Sequence, residues 1–216
     1  VVLTLSLVRH GQTEYNAENR LQGWCDSPLT ARGLAGVRTT AAHLAARPFT
    51  AAYVSPTGRA QTTAHEILAH HPWAPSVTDP DLREFGFGDL EARPEAELLA
   101  RYDPDTMFAE VISGTFAGIP GGEPGREYLA RVRSAFARIE RHHQDGHVLV
   151  VSHGLTLRAY LTMIDSRPMA PLPNASISTV EVHADGHRRV VTVALGPADQ
   201  GVPDAISASP APALAM

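Results

Sequence analysis

A chain of 216 residues with 44% hydrophobic side chains is long enough for one domain with a substantial core, and its formal net charge of −5 excludes the basic footprint of a nucleic-acid binder. No apolar run approaches the roughly 18 residues of a membrane span, and the single cysteine, Cys25, has no partner for an internal disulfide, so a reducing cytoplasm is the expected setting. All 18 basic residues are arginines, which excludes Schiff-base chemistry, a P-loop lysine and the lysine of kinase-type sites.

Val1 to Val8 is a short apolar, β-branched run with no basic leader and no small-residue cleavage site, so it reads as a buried strand and not a signal peptide. It ends in Arg9-His10-Gly11. Leu34, Val37, Ala41 and Leu44 recur at the helical period and predict a helix over 30–46. Ala51 to Val54 is a second strand, followed by Ser55-Pro56-Thr57-Gly58-Arg59. With Ser55 as cap and Pro56 at the first helical position, the next helix is expected to run to about Ala69. Val77-Thr78 is a candidate short strand. An insertion over about 91–125 follows, and its portion 103–125, rich in Gly and Pro, reads as a loop or lid. Leu129, Val132, Phe136 and Ile139 stripe a helix over 126–143. His147 to Val151 is a further strand, ending in Ser152-His153-Gly154 and leading into a helix over 155–164. Ile177 to His183 and Arg188 to Leu195 form a hairpin turning at Asp185-Gly186, and the tail over 196–216 has the Ala/Pro/Ser composition of a disordered segment.

Strands alternating with helices predict an α/β fold. The expected architecture is a three-layer α/β/α sandwich with a mostly parallel sheet, an antiparallel edge and a small lid, in a single domain over 1–195. The exposed edge of the last hairpin offers a route to a homodimer; no membrane or nucleic-acid partner is expected.

Ligands of open α/β sheets bind beyond the carboxyl ends of the strands. Here those ends carry Arg9 and His10, Arg59, and His153, and helices start just after Ser55 and His153 with their free N–H groups and partial positive charge. Such a rim suits a compact, multiply charged anion, and phosphate matches the planar fork of arginine best.

Four segments carry a resemblance. Leu7-Val8-Arg9-His10-Gly11-Gln12-Thr13-Glu14-Tyr15-Asn16, Ser55 to Ala64, Leu82-Arg83-Glu84-Phe85-Gly86-Phe87-Gly88-Asp89-Leu90-Glu91 and Val151-Ser152-His153-Gly154 resemble, in order, the motifs of the histidine phosphatase superfamily. That is the clan that includes cofactor-dependent phosphoglycerate mutase. The resemblance implies that His10 attacks phosphorus through one unprotonated ring nitrogen while the other donates a hydrogen bond. It also implies that Arg9, Arg59 and His153 hold the equatorial oxygens, that Asn16 adds a donor or orients His10, and that Glu84 protonates the departing alkoxide and then assists water. Asp89 and Glu91 compete with Glu84 within the same segment. Arg20, Gln22, Gly23 and Gly154 are further candidates for contact with substrate, whereas Asn174 and Ser176 read as structural.

The stretch 91–122 is short and holds six acidic residues against Arg93 and Arg101, a poor grip for a bisphosphorylated acid, so a metal-independent, cofactor-free phosphomonoesterase acting on a small phosphorylated metabolite is the expected activity. A phosphoglycerate mutase is the alternative, and a non-catalytic phospho-ligand module the third reading. Cys25 and Arg32 lack the spacing of a cysteine phosphatase, and no His-Glu-x-x-His or comparable metal spacing is present.

Overall fold

Six strands, β1 (Val2–Arg9), β2 (Phe49–Val54), β3 (Ser76–Thr78), β4 (Gly146–Ser152), β5 (Ile177–His183) and β6 (Arg188–Leu195), form one sheet in the computed structural model, which describes residues 1–199. Their order is β3-β2-β4-β1-β5-β6. β1 pairs in parallel with β4, β4 with β2, and β2 with β3, while β5 runs antiparallel to both β1 and β6. β1 therefore lies inside the sheet, and its apolar run is buried because helices cover both faces.

The helices are α1 (Glu14–Ala17), α2 (Ala31–Leu44), α3 (Gly58–Leu68), α4 (Glu95–Leu99), α5 (Pro104–Ser113), α6 (Gly125–His142) and α7 (Gly154–Ile164), with 3-10 turns at Pro80–Leu82 and Gly88–Leu90. Strand alternation decides which helices meet which face. Leu3, Leu5 and Leu7 of β1 and Val148 and Val150 of β4 join Val132 and Phe136 of α6 and Leu157 and Leu161 of α7. Val8, Leu149 and Val151 point the other way, onto Ala41 and Leu44 of α2 and Ala60, Ala64 and Ile67 of α3. The result is the three-layer α/β sandwich with an antiparallel edge that the alternation of elements predicts.

Two local expectations are corrected. The helix after β2 begins at Gly58 with Thr57 at its N-cap, not at Pro56 after a Ser55 cap, because the Ser55 side chain is taken by His153. The segment 103–125 is not a loop throughout, since it contains α5. Asp103 caps that helix by accepting from the Thr106 N–H, Pro104 occupies its first turn, and Gly114 ends it at φ 76°. The Pro and Gly there mark helix ends. Residues 200–216 of the tail lie outside the described residues.

Candidate active site

β1, β2 and β4 are neighbours and parallel, so their carboxyl ends meet at one edge and bring the segments after Arg9, Val54 and Ser152 together. The backbone of His10 is fixed on two sides: its N–H donates to Ser152 O at 3.0 Å, and its carbonyl accepts from the Ala175 N–H at 3.1 Å. Gly11 is needed next to it, because a Cβ there would lie 2.6 Å from Val37 Cγ2.

The His10 ring is buried, and its Nδ1 lies 2.8 Å from the carbonyl oxygen of Gly11. A carbonyl only accepts, so Nδ1 carries the proton and Nε2 keeps its lone pair. Burial, with the positive charges of Arg59 and Arg9 beside it, pushes the His10 pKa well below the ordinary imidazole value, which keeps Nε2 unprotonated. His153 meets it edge to face with ring centroids 5.2 Å apart. Its Nε2 is 2.7 Å from Ser55 Oγ, and burial together with Arg59, His10 and Arg9 lowers its pKa in the same way.

Arg59 is held tightly. Its guanidinium donates to Gln22 O, Gly23 O and Cys25 O and pairs with Asp26 at 2.9 Å. It thereby ties the 22–26 loop to the start of α3. Arg9 donates to Leu172 O. Gly154 leaves room for it, since a Cβ at that position would lie 3.3 Å from Arg9 Cζ. Among the described residues, buried side-chain nitrogens without a partner include the donors Arg9 Nε and Arg59 Nε, and His153 Nδ1. Buried donors ordinarily find a partner, so these unfilled positions around His10 fit an anion.

Glu84 reaches the same place from the turn before the lid. Its Oε1 accepts from the N–H groups of Phe85 (2.9 Å) and Thr156 (3.1 Å) and from the Thr156 hydroxyl (3.0 Å), whereas Oε2 accepts only from the Leu155 N–H at 2.9 Å. The expectation that the first turn of the helix after His153 serves phosphate is thus corrected: Glu84 occupies the N–H groups of Leu155 and Thr156. The competitors in its segment are placed elsewhere. Glu91 accepts from the N–H groups of Gly23, Trp24, Cys25 and Phe87. Burial opposes its charge, but those bonds from Cys25, Trp24 and Phe87 outweigh it and lower its pKa, so it is a clamp on the 23–25 loop and not an acid. Asp89 is exposed. The Cys25 thiol, pushed up to about 12 by burial and by Glu91, is no nucleophile.

A cavity of about 600 Å³ opens over His10 and is lined by Arg9, Asn16, Arg20, Gln22, Glu84 and Gly154 among others. Arg59, His153 and Gly23 are buried and do not line it. Asn16 Oδ1 accepts from the Thr13 N–H at 3.2 Å and from Asn174 Nδ2 at 3.1 Å, which turns the Asn16 amide nitrogen to the free side. Both ends of Gln22 are engaged, with Thr13 and Ser27, and Arg20 is bound to Ala92 O and Glu18 at the rim. Asn174, expected to be structural, donates to His10 O at 3.2 Å as well as to Asn16. Two contributors escaped the sequence reading. Arg131 of α6 donates to the carbonyls of Asp81, Arg83 and Glu84 while pairing with Glu123, and Arg158 of α7 lines the cavity. Neither stands in a motif; the helical spacing of Arg158 from Gly154 was the one available signal for it.

The family model for the histidine phosphatase superfamily (branch 1) matches residues 5–194. A curated relative, the probable phosphoglycerate mutase GpmB of Enterobacter sp. (strain 638), is 36% identical over 186 residues, covering 83% of this chain and 85% of the relative. The crystal structure of phosphoglycerate mutase from Bacillus anthracis str. Sterne superposes with a TM-score of 0.78 at 27% identity over 93% of this chain and 96% of that one. A putative α-ribazole-5′-P phosphatase from Escherichia coli K-12 gives a TM-score of 0.75 at 25% identity, over 89% and 96%. Matching over nearly its whole described length, and carrying the paired histidines and arginines at one sheet edge, the chain belongs to the histidine phosphatase superfamily, branch 1.

Proposed function

We propose that the protein is a phosphomonoester hydrolase that passes through a phosphohistidine on Nε2 of His10. The observation that carries this reading is the His10 tautomer: Nδ1 is committed to Gly11 O, so the lone pair of Nε2 is the free one, in a cavity that Arg9 also lines with an unpartnered Nε. In the first step Nε2 attacks phosphorus as the ester P–O bond breaks opposite it. Arg9 and the Asn16 amide nitrogen, which line the cavity, meet the equatorial oxygens, and the buried Arg59 guanidinium adds positive charge close to His10. Glu84 gives a proton to the departing alkoxide from Oε2, the oxygen with one donor. It then takes a proton from water as the water oxygen attacks phosphorus and the N–P bond breaks, which releases inorganic phosphate and restores the enzyme. This chemistry needs no group beyond these side chains.

Hydrolysis is favoured over transfer because Glu95 of the lid lines the cavity on the Arg9 side and repels a second anion near the phosphoryl position. The mutase reading is supported by the names of the curated relatives, and one experiment separates the two. Protein mixed with a ³²P-labelled phosphomonoester is quenched and tested for an acid-labile, alkali-stable label that His10→Ala lacks. Products are then compared with and without excess phosphoglycerate. Inorganic phosphate as the product in both cases supports the hydrolase; label moving to the acceptor would make the protein a mutase; absence of label with every ester would leave a binding module.

A further inference from the structure

The cavity over His10 is far larger than a phosphoryl group, and its walls are unlike its floor. Leu98 of α4, Tyr102, Met107 and Phe108 of the α5 region, and Leu155 of α7 form an apolar chamber beyond the cluster at His10. A volume of about 600 Å³ is that of a site enclosing a whole small organic ligand. A small, hydrophilic phosphoacid would leave these side chains facing water.

One cation stands in this apolar wall. Gly154, Leu155 and Arg158 all line the cavity from one face of α7. Gly154 abuts the Arg9 guanidinium, so Arg158 sits one helical turn, about 6 Å, further along the axis from the phosphoryl end. Its guanidinium lies over the Phe108 ring, 3.6 Å from the centroid, and its Nε is buried without a hydrogen-bond partner. Among the described residues it makes no ion pair. Asp105 is near enough to raise its pKa, but burial acts more strongly and the pKa is lowered on balance. The other cation of the lining beyond Arg9, Arg20, is already satisfied by Glu18 and Ala92 O. Glu95, on the Arg9 side, disfavours a second anion close to the phosphoryl group. A flat, half-buried guanidinium held on an aromatic face is a recognition element for a planar anion.

We propose that the substrate is the phosphate monoester of a bulky, mostly apolar alcohol bearing a carboxylate-like anion at its far end, with Arg158 as the residue that selects it. The proposal rests on reading His10 as the phosphoryl end of the cavity. It distinguishes this chain from an enzyme for phosphoglycerate, whose carboxylate lies next to the phosphoryl group and would face Glu95.

The test is binding, which needs no turnover and so stands apart from the labelling experiment on His10. Non-hydrolysable 2-naphthylmethylphosphonate, the same compound with a carboxylate on its distal ring, and the phosphonate analogue of 3-phosphoglycerate are titrated into the protein by calorimetry. Both naphthyl compounds should bind more tightly than the phosphoglycerate analogue, and the carboxylate should add about tenfold or more, the worth of a hydrogen bond between charged groups. In Arg158→Gln that added factor should fall below about twofold. Thermal denaturation checks that this variant is folded, and Arg158→Lys, which keeps the charge but not the planar fork, should retain part of the gain. Preference for the phosphoglycerate analogue, no gain from the carboxylate, or a gain undiminished in folded Arg158→Gln would each overturn the proposal.

Discussion

At the scale of single residues, the chemistry depends on which heteroatoms are already used. Nδ1 of His10 is used, Nε2 is not; Oε1 of Glu84 is crowded by three donors, Oε2 by one. If Glu84 supplies the proton, Glu84→Gln should lower kcat/KM, which reports the step that expels the leaving group, by about 100- to 10,000-fold for an alkyl phosphate, whose alkoxide must be protonated. It should have much less effect with p-nitrophenyl phosphate, whose leaving group departs without a proton. Steady-state kinetics on the pair of substrates measures the ratio, and equal losses would remove Glu84 from that role. The motifs made His10, Arg9, Arg59, His153 and Glu84 legible in the sequence because each stands just beyond a strand or turn that the hydropathy pattern marks. What the sequence could not show is how each side chain is occupied. Arg59 and Glu91 both prove to hold the 22–26 loop, Gln22 is tied at both ends, and Asn174 reaches back from a distant segment to His10 and Asn16. Such pairings join residues far apart in the chain and leave no local pattern.

At the scale of elements, periodicity served wherever an element buries one face. The stripe of α6 and the alternation of β1 and β4 follow directly from where their apolar residues fall. It fails in the lid, where α5 is short and the Pro and Gly at its two ends give the segment the composition of a loop. The element that matters most for the site without touching substrate is α6. Its Arg131 gathers the carbonyls of Asp81, Arg83 and Glu84, and its partner Glu123 accepts from the Gly86 N–H at 2.9 Å. Both side chains are largely buried, 12% and 7% exposed, so removal of one leaves an uncompensated charge. Arg131→Met should cost about 3–5 kcal/mol of stability, read as a lower urea midpoint, and should depress kcat by displacing the Glu84 backbone.

At the scale of the whole molecule, β1, β2 and β4 gather into one place residues drawn from the first and last thirds of the chain. The cost is a pair of buried imidazoles beside two guanidiniums. Both histidines have pKa values pushed well below the ordinary range, above all by burial, so the native state refuses protons that the unfolded chain accepts. Linkage fixes the sign: with the unfolded imidazole at ~6.5, the contribution of these two histidines to stability is level above about pH 6.5 and declines as pH falls below it. Urea unfolding at pH 7.5 and 5.5 should show a lower midpoint in acid, and the difference should shrink in His153→Asn. An equal difference in the variant would assign the acid loss to other groups.

One contact near Glu84 has an optical consequence. The indole N–H of Trp24 donates to Glu84 O at 3.0 Å, and the Arg83 guanidinium lies 4.4 Å from its ring centroid. The other tryptophan, Trp73, is 91% exposed. In a Trp73→Phe protein the emission would come from Trp24 alone, an intrinsic fluorophore tethered to the backbone of the proposed acid. Titration with vanadate should then shift its intensity or wavelength, and stopped-flow recording would follow occupancy of the site in real time without a labelled substrate.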